Sequence, residues 1–401
     1  MTPKKHSTSP LRRLIRASLL CLNVAAAVLT FGAAYGGMVN PATTVIPALL
    51  TLTLPAWLAA IPLLLAIDLL TPWKRLAAIP AFTMLMCAGP AWDYCPLRRS
   101  TAAAGAETME ANPDRAFTVL SYNTFALTDY RMRNTPDTLT AKQKQAALSA
   151  NLLSCPTLSY ILDFRPTVGL LQENPQRGIN ILPHVNVNQA QLDSLNALYP
   201  FYMNHQGESI MSALPLRRVS LRQPQDPGSW FAAAEITVHG TDILFVSVHL
   251  QSIGLTDTDK QLYRNIAHVN SERELSAVRH QLLGKLAEAF RKRARQADLL
   301  CQQLDSIDHP NVIIGGDFND VADCYAIRQL EKLGFRTVFS SCGSGPTPTY
   351  HANRFIFHID HILYRGSMTP AGYRRGNARL SDHYPVLATF LLPPPATAAE
   401  E

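Results

Sequence analysis

"GGDFND" (residues 315–320) follows immediately on "NVII" (311–314), a run with the β-branched texture of a buried strand. Two readings compete for the hexapeptide. As a turn, it would use the unusual backbone angles of Gly and the habit of Asp and Asn of bonding nearby backbone. As the end of a strand, it would present Asp317 and Asn319 to a shared pocket. The choice depends on what stands at the ends of the other strands.

The apolar residues are unevenly placed along the 401-residue chain. No Asp, Glu, Lys or Arg occurs from Ala17 to Ile67, and "LAAIPAFTMLMCAGPAW" (76–92) is also uncharged. A membrane-spanning helix needs about 20 mostly apolar residues. The pattern predicts three transmembrane helices, about 14–35, 46–70 and 74–92, the first two separated by "GGMVNPATT". Lys4, Lys5, Arg12, Arg13 and Arg16 mark the N-terminal tail (1–13) as cytoplasmic, and Lys74 and Arg75 return to that side. Three crossings would leave everything after about residue 93 outside the cytoplasm. A cleaved signal peptide in place of the first span would export the same part.

The net charge of +6, partly on the membrane flanks, is too mild to announce a nucleic-acid-binding protein. Cys21 and Cys87 fall in the expected spans and Cys95 at their edge. Cys155, Cys301, Cys324 and Cys342 could form disulfides in an oxidising compartment, Cys324 with Cys342 closing the shortest loop. They could equally be small buried residues. No CxxC spacing of the metal-binding kind occurs.

Residues 93–115, ending in "RSTAAAGAETMEANPDR", read as a linker. From 116 to 393 the texture is that of one large domain. Short apolar runs predict strands at "FTVLSY" (117–122), "TVGLLQ" (167–172), "DILFVSVHL" (242–250), "NVIIGG" (311–316), "HIDHILY" (358–364) and "VLATFLL" (386–392). Leu275, Val278, Leu282, Leu286 and Phe290, spaced three or four apart, predict a helix over 271–304. Its "RKRAR" (291–295) reads as a solvated face, or as an attraction for phosphates or anionic lipid. Residues 394–401, within "PPPATAAEE", read as a disordered tail.

Several of these strands end in residues that handle metals or phosphates. "LSYNTF" offers Asn123, "GLLQEN" offers Glu173 and "SVHLQS" offers His249. "HIDHIL" offers Asp360, and "LSDHYPV" offers Asp382 and His383. Singly, each has a structural explanation: a turn, a surface acid, a hydrogen-bonded histidine. Together they point to a common crevice. Hard oxygen ligands without thiolates suit Mg2+ or Mn2+. Histidines beside carboxylates supply acid–base groups, so the chemistry indicated is metal-assisted attack of water on a phosphate ester.

The ordered set "SYN", "LQE", "SIMSALPL" (209–216), "VHL", "GGDFND", "IDHIL" and "SDHYPV", over about residues 116–392, resembles the endonuclease/exonuclease/phosphatase superfamily of metal-dependent phosphoesterases. The three apolar N-terminal segments add a likeness to its membrane-anchored bacterial members. The resemblance implies an α/β (α+β) fold: a four-layer αββα sandwich of two mixed β-sheets behind an N-terminal transmembrane region. It implies Glu173 as the principal Mg2+ (or Mn2+) ligand, Asn123 close by, and Asp382 contributing directly or through water. Asp317 would position or deprotonate the attacking water, and Asn319 would hold a phosphate oxygen. Asp360 would orient His383 against the phosphate, while His249 would steady developing charge or protonate the leaving oxygen. The glycines of "GGDFND" would let the backbone turn tightly at the strand's end. His358 stands where relatives often carry Arg.

The expectation is a Mg2+-dependent phosphodiesterase anchored in the bacterial inner membrane, its catalytic domain periplasmic, acting on phospholipid headgroups. An extracytoplasmic nuclease and a non-catalytic module for phosphorylated ligands are the alternatives. No protein partner is predicted.

Overall fold

Every residue of β8 (Val312–Asp317) is buried, because a second sheet covers one of its faces and helices cover the other. The computed structural model describes residues 9–98, 101–130, 154–175, 187–254, 272–352 and 357–394. β7 (Thr241–His249) lies parallel to β8, and β10 (Asp360–Arg365) lies antiparallel on its other side. With β5 (Leu216–Val219), β6 (Trp230–Val238) and β9 (Arg336–Thr337) they form a six-stranded mixed sheet ordered β5-β6-β7-β8-β10-β9. The facing sheet contains β1 (Ala116–Asn123), β2 (Val168–Gln172), β3 (Phe201–His205), β4 (Glu208–Ser212), β11 (Thr369–Arg375) and β12 (Val386–Leu391), ordered β11-β12-β1-β2-β4-β3.

Phe117, Val119 and Phe390 of one sheet meet Phe245, Ile313 and Ile362 of the other between the layers. Outside, α9 (Glu272–Ile307) and α10 (Tyr325–Lys332) lay Leu300, Leu304, Ile327 and Leu330 on Val246 and Ile314. On the opposite side α7 (Pro156–Phe164) and α8 (Gln189–Leu198) lay Leu158, Ile161 and Leu195 on Leu120, Tyr122 and Leu171. Each such apolar side chain contributes about 1.5–3 kcal/mol by leaving water. The result is the four-layer αββα sandwich of two mixed sheets.

The glycines of "GGDFND" have a different purpose from the one expected. Gly315 and Gly316 are interior to β8, and neither has a positive φ. A Cβ at Gly316 would lie 1.9 Å from Val248 O, and one at Gly315 would lie 2.7 Å from Leu170 Cδ1. They permit close approach, within the sheet and between the sheets. The chain turns later, at Asn319, with φ 52°.

The three expected spans reduce to one helix of spanning length. α1 (Pro10–Tyr35) continues as a tighter turn to Met38, giving 29 residues that include an 18-residue window of mean hydropathy 1.9. The second segment breaks into α2 (Ile46–Thr51) and the 17-residue α3 (Leu54–Leu70), which carry Pro47 and Pro55 in their first turns, with Pro62 inside α3. The third breaks into α4 (Ala78–Met86) and α5 (Ala88–Tyr94), around Pro80 and Pro90. Proline removes a backbone donor and shortens or bends helices that composition alone would run on.

Within the expected linker, α6 (Ala102–Ala111) packs on β11 and β12. It needs no apolar stripe, because Gly105 meets Gly372 with a hypothetical Gly372 Cβ only 2.6 Å from Gly105 Cα. All seven cysteines are free thiols; Cys324 is buried beneath α9 and α10, and Cys342 in the inter-sheet core. The tail expected at 394–401 lies outside the described residues, apart from Pro394.

Candidate active site

Strand register sets three polar residues side by side. His249 ends β7 opposite Asp317 at the end of β8, and Asp317 pairs with Asp360 at the start of β10. In the facing sheet Asn123 ends β1 opposite Gln172 of β2, and Glu173 comes next. Asn123 bridges the sheets, its Nδ2 donating to Asp317 Oδ2 at 3.1 Å and Glu173 Oε1 at 3.2 Å. Its Oδ1 accepts from Phe125 N at 3.1 Å, so in this arrangement Asn123 faces the carboxylates as a donor.

Glu173 and Asn319 hold left-handed backbone, with φ 48° and 52°. Such conformations cost a non-glycine residue about 1–3 kcal/mol and persist where the surroundings impose them. Glu173 O accepts from Ala126 N at 2.9 Å and from Thr124 Oγ1 at 3.1 Å. Asn319 donates its N–H to Asp317 Oδ1 at 2.8 Å and its amide to Leu250 O at 3.0 Å. The expected phosphate-holding side chain is thus also a strut between two loops.

His383 stands between two acids, with Nδ1 2.8 Å from Asp360 Oδ2 and Nε2 3.5 Å from Asp317 Oδ2. Burial alone would push the imidazole down, but Asp360, Asp317 and Asp382 together carry it well above its usual range. Tyr350 meets its ring edge-on at 4.9 Å. Asp382 is pushed up to about 6, first by burial, with His383 opposing and Glu173 and Asp317 reinforcing. His249 Nε2 lies 3.7 Å from Asp317 Oδ2 and 3.9 Å from Glu173 Oε1. All eight sequence-derived candidates therefore gather at one end of the sandwich.

Glu208 was not expected. It is 1% exposed, opens β4, and sits with Oε1 3.8 Å from His249 Nδ1. Burial drives its carboxyl well above the usual range, against a 2.9 Å hydrogen bond from Ser247 Oγ and with help from Glu173 and Asp317. An acid directly before the apolar "SIMSALPL" run was the available signal. His358 lies tilted against Phe339 at 4.2 Å and stacks on His361 at 4.9 Å. Asp360 is braced instead by Thr349 Oγ1, which accepts from Asp360 N at 3.0 Å.

Atoms of Asp317, Asp360 and His383 that could ligate a metal lie within 4.8 Å of one another. The Nδ1 of His383 is already bound to Asp360, so this trio is better described as an Asp–His–Asp relay. Glu173, Asp317 and Asp382 form the open carboxylate set. No Lys or Arg ion pair to any of them occurs among the described residues, and burial raises Asp382, with Glu173 and Asp317 adding to it. That unbalanced negative charge fits a divalent cation.

A model of the Endonuclease/Exonuclease/phosphatase family matches residues 148–383, more than half of the chain. The chain belongs to the endonuclease/exonuclease/phosphatase family. Its enzyme class is therefore metal-dependent hydrolysis of phosphoric esters. Residues 13–94 match a second model, described as a Domain of unknown function (DUF8431). No curated protein matches the chain. Solved structures with similarity include truncated TDP2 of Caenorhabditis elegans, 15% identical, covering 69% of this chain and 98% of that one at a TM-score of 0.41. An endonuclease/exonuclease/phosphatase from Beutenbergia cavernae is 16% identical over 69% and 72% at 0.42, and one from Bacteroides vulgatus 14% over 69% and 99% at 0.41. This family member thus combines a phosphoesterase sandwich with an apolar N-terminal region.

Proposed function

We propose that the protein is a Mg2+-dependent phosphodiesterase, tethered to a membrane by its N-terminal helices and acting on phospholipid headgroups. The observation that carries this reading is the surroundings of Asp317 Oδ2, approached by Asn123, His249 and His383 within 3.1–3.7 Å. A carboxylate so held is a base with a fixed direction of attack. Glu173 and Asp382 would hold the cation, which when bound supplies Lewis-acid stabilisation of charge at phosphorus. Asp317 positions the attacking water and accepts its proton. His383, oriented by Asp360, donates to a phosphate oxygen, and the second amide hydrogen of Asn319 serves the same group. His249 protonates the leaving oxygen. Losing one such charge-stabilising donor typically costs about 2.7–4 kcal/mol of barrier.

Membrane attachment rests on where the exposed apolar side chains are. Among the described residues, apart from Leu198, Phe201 and Leu283, the large exposed hydrophobic residues run from Leu11 to Leu97. The cationic tail before α1 favours a cytoplasmic N-terminus. One crossing and three crossings have the same parity, so residues 116–393 would remain the extracytoplasmic catalytic domain, in the periplasm of a bacterial inner-membrane protein.

The test uses the full chain in lipid nanodiscs with Mg2+, plasmid DNA and phosphatidylcholine–sphingomyelin vesicles, with Asp317→Asn as control. Headgroup release that vanishes in the variant, with the plasmid intact, is the expected result. DNA nicking without headgroup release would make the protein a nuclease, and neither product would favour a binding module.

A further inference from the structure

Within "RKRAR", Arg293 departs from the solvated face expected of the segment. It is 3% exposed and lies over the Phe290 ring at 4.6 Å. Its Nε is 3.1 Å from Asp320 Oδ2, and its Nη1 donates to Gln251 O at 2.9 Å. A buried charge is tolerated only when paired and hydrogen-bonded. What this pair connects is informative. Asp320 follows Asn319 directly and stands three residues after Asp317, whereas Gln251 stands two residues after His249. One planar guanidinium thus ties the loop beyond the proposed base to the loop beyond the proposed acid.

Neighbouring bonds act in the same direction. One helical turn along α9, Gln296 Oε1 accepts from Gln251 N at 2.9 Å, so Gln251 is held from both sides of its backbone. Asn319 reaches across to Leu250 O at 3.0 Å, and His361 Nε2 donates to Asp320 O at 3.0 Å. The N-terminal region closes over the pair, with Pro41, Ala48 and Thr51 lining the same small cavity as Arg293 and Asp320.

We propose that Arg293 is a positioning residue for phosphoester hydrolysis, fixing the separation of His249 from Asp317 by bridging Gln251 and Asp320. It touches neither substrate nor cation. Lysine keeps the charge toward Asp320 but lacks the rigid fork that serves two acceptors at once. The inference rests on the reading of His249 and Asp317 as catalytic.

The experiment measures kcat and KM of the full chain in detergent with Mg2+ and bis(4-nitrophenyl) phosphate. The variants are R293K, R293M, R293M/D320L, H249A and D317N, each with a thermal midpoint. R293M should lose about 10²-fold in kcat with little change in KM, the usual scale for a misplacement of about 1 Å. R293K should fall between R293M and wild type. Removing both charges in R293M/D320L should restore the midpoint, since replacing a buried pair by apolar residues is often neutral, while kcat stays low. A stable double variant as fast as wild type would overturn the proposal, as would a loss confined to KM. Should the double variant not fold, R293K decides, and wild-type kcat there sinks it. Full activity in H249A and D317N would overturn the site reading instead, a separate outcome.

Discussion

His383 Nδ1 lies 2.8 Å from Asp360 Oδ2, and both side chains are closed off from solvent. The pairing settles which ring nitrogen faces the crevice. Nδ1 is held by Asp360, which leaves Nε2 toward Asp317. An orienting carboxylate of this kind fixes the tautomer and supports the cation. Asp360→Asn should therefore keep the fold and lose about 10²–10⁴-fold in kcat, with KM little changed. Steady-state kinetics beside a melting curve checks this. A variant within threefold of wild type would mean that His383 needs no orienting partner.

The open carboxylate set carries a second expectation. Chelation of divalent ions should abolish hydrolysis and added Mg2+ should restore it. Glu173→Gln removes a charge from the set while keeping its shape, so the Mg2+ concentration for half-maximal rate should rise at least about tenfold, as for other changes around metal ligands. The Glu173 side chain is 42% exposed, so the substitution should leave the thermal midpoint of the metal-free protein in place. Unchanged Mg2+ dependence in a folded variant would remove Glu173 from the cation site.

Much of this site is legible in the sequence, for a physical reason. A strand reads as a β-branched run whose end is placed to within a residue, so Asn123, His249 and Asp317 could be named as lying at strand ends. The partners that arrive from elsewhere were not legible. Glu208 opens β4 just ahead of the "SIMSALPL" run, and Arg293 hides in a basic cluster where composition favours solvent. The glycines of β8 were misread as turn formers because close approach between sheets leaves no trace in one dimension. The apolar N-terminal segments were correctly seen as apolar, but prolines decided their lengths. Weak signals were missed as well: β9 has two residues, and α6 lies on its sheet through glycine contact without an apolar stripe.

His361 should give the fold an acid-labile component. It is 2% exposed, donates from Nε2 to Asp320 O at 3.0 Å and stacks on the equally buried His358. Burial pushes its imidazole down to about 4, with the Asp320 carbonyl and Asp317 pulling the other way. A histidine depressed in the folded state is protonated first in the unfolded chain. Stability is thus intact above about pH 6.5 and lost as pH falls toward 4, by about 2–3 kcal/mol for this group. His361→Gln keeps a donor for the Asp320 carbonyl and removes the titration. Between pH 7 and 4.5, the midpoint of the wild type should therefore fall faster than that of His361→Gln. Parallel melting curves would show that His361 does not titrate in that window.

The N-terminal region should be seated on the catalytic domain through Gly37. A Cβ at Gly37 would lie 2.0 Å from Asp323 O, closer than any side chain allows. Around it, Asn40 Nδ2 donates to Tyr325 Oη at 2.9 Å, and Tyr325 Oη donates to Asp298 Oδ1 at 2.9 Å. Arg328 pairs with Asp323 and reaches Asp93 at 3.7 Å. Gly37→Val must push the end of α1 away from the loop that follows Asn319, at the cost of about 1–3 kcal/mol usual for overpacking. In the full chain, the amides of Asp323–Lys332 should then exchange hydrogen faster, while kcat falls less than in Asp360→Asn. The order matters because Asp323 touches the seat but none of the reacting groups. Unaltered exchange in Gly37→Val would mean that the two regions are not held together at this contact.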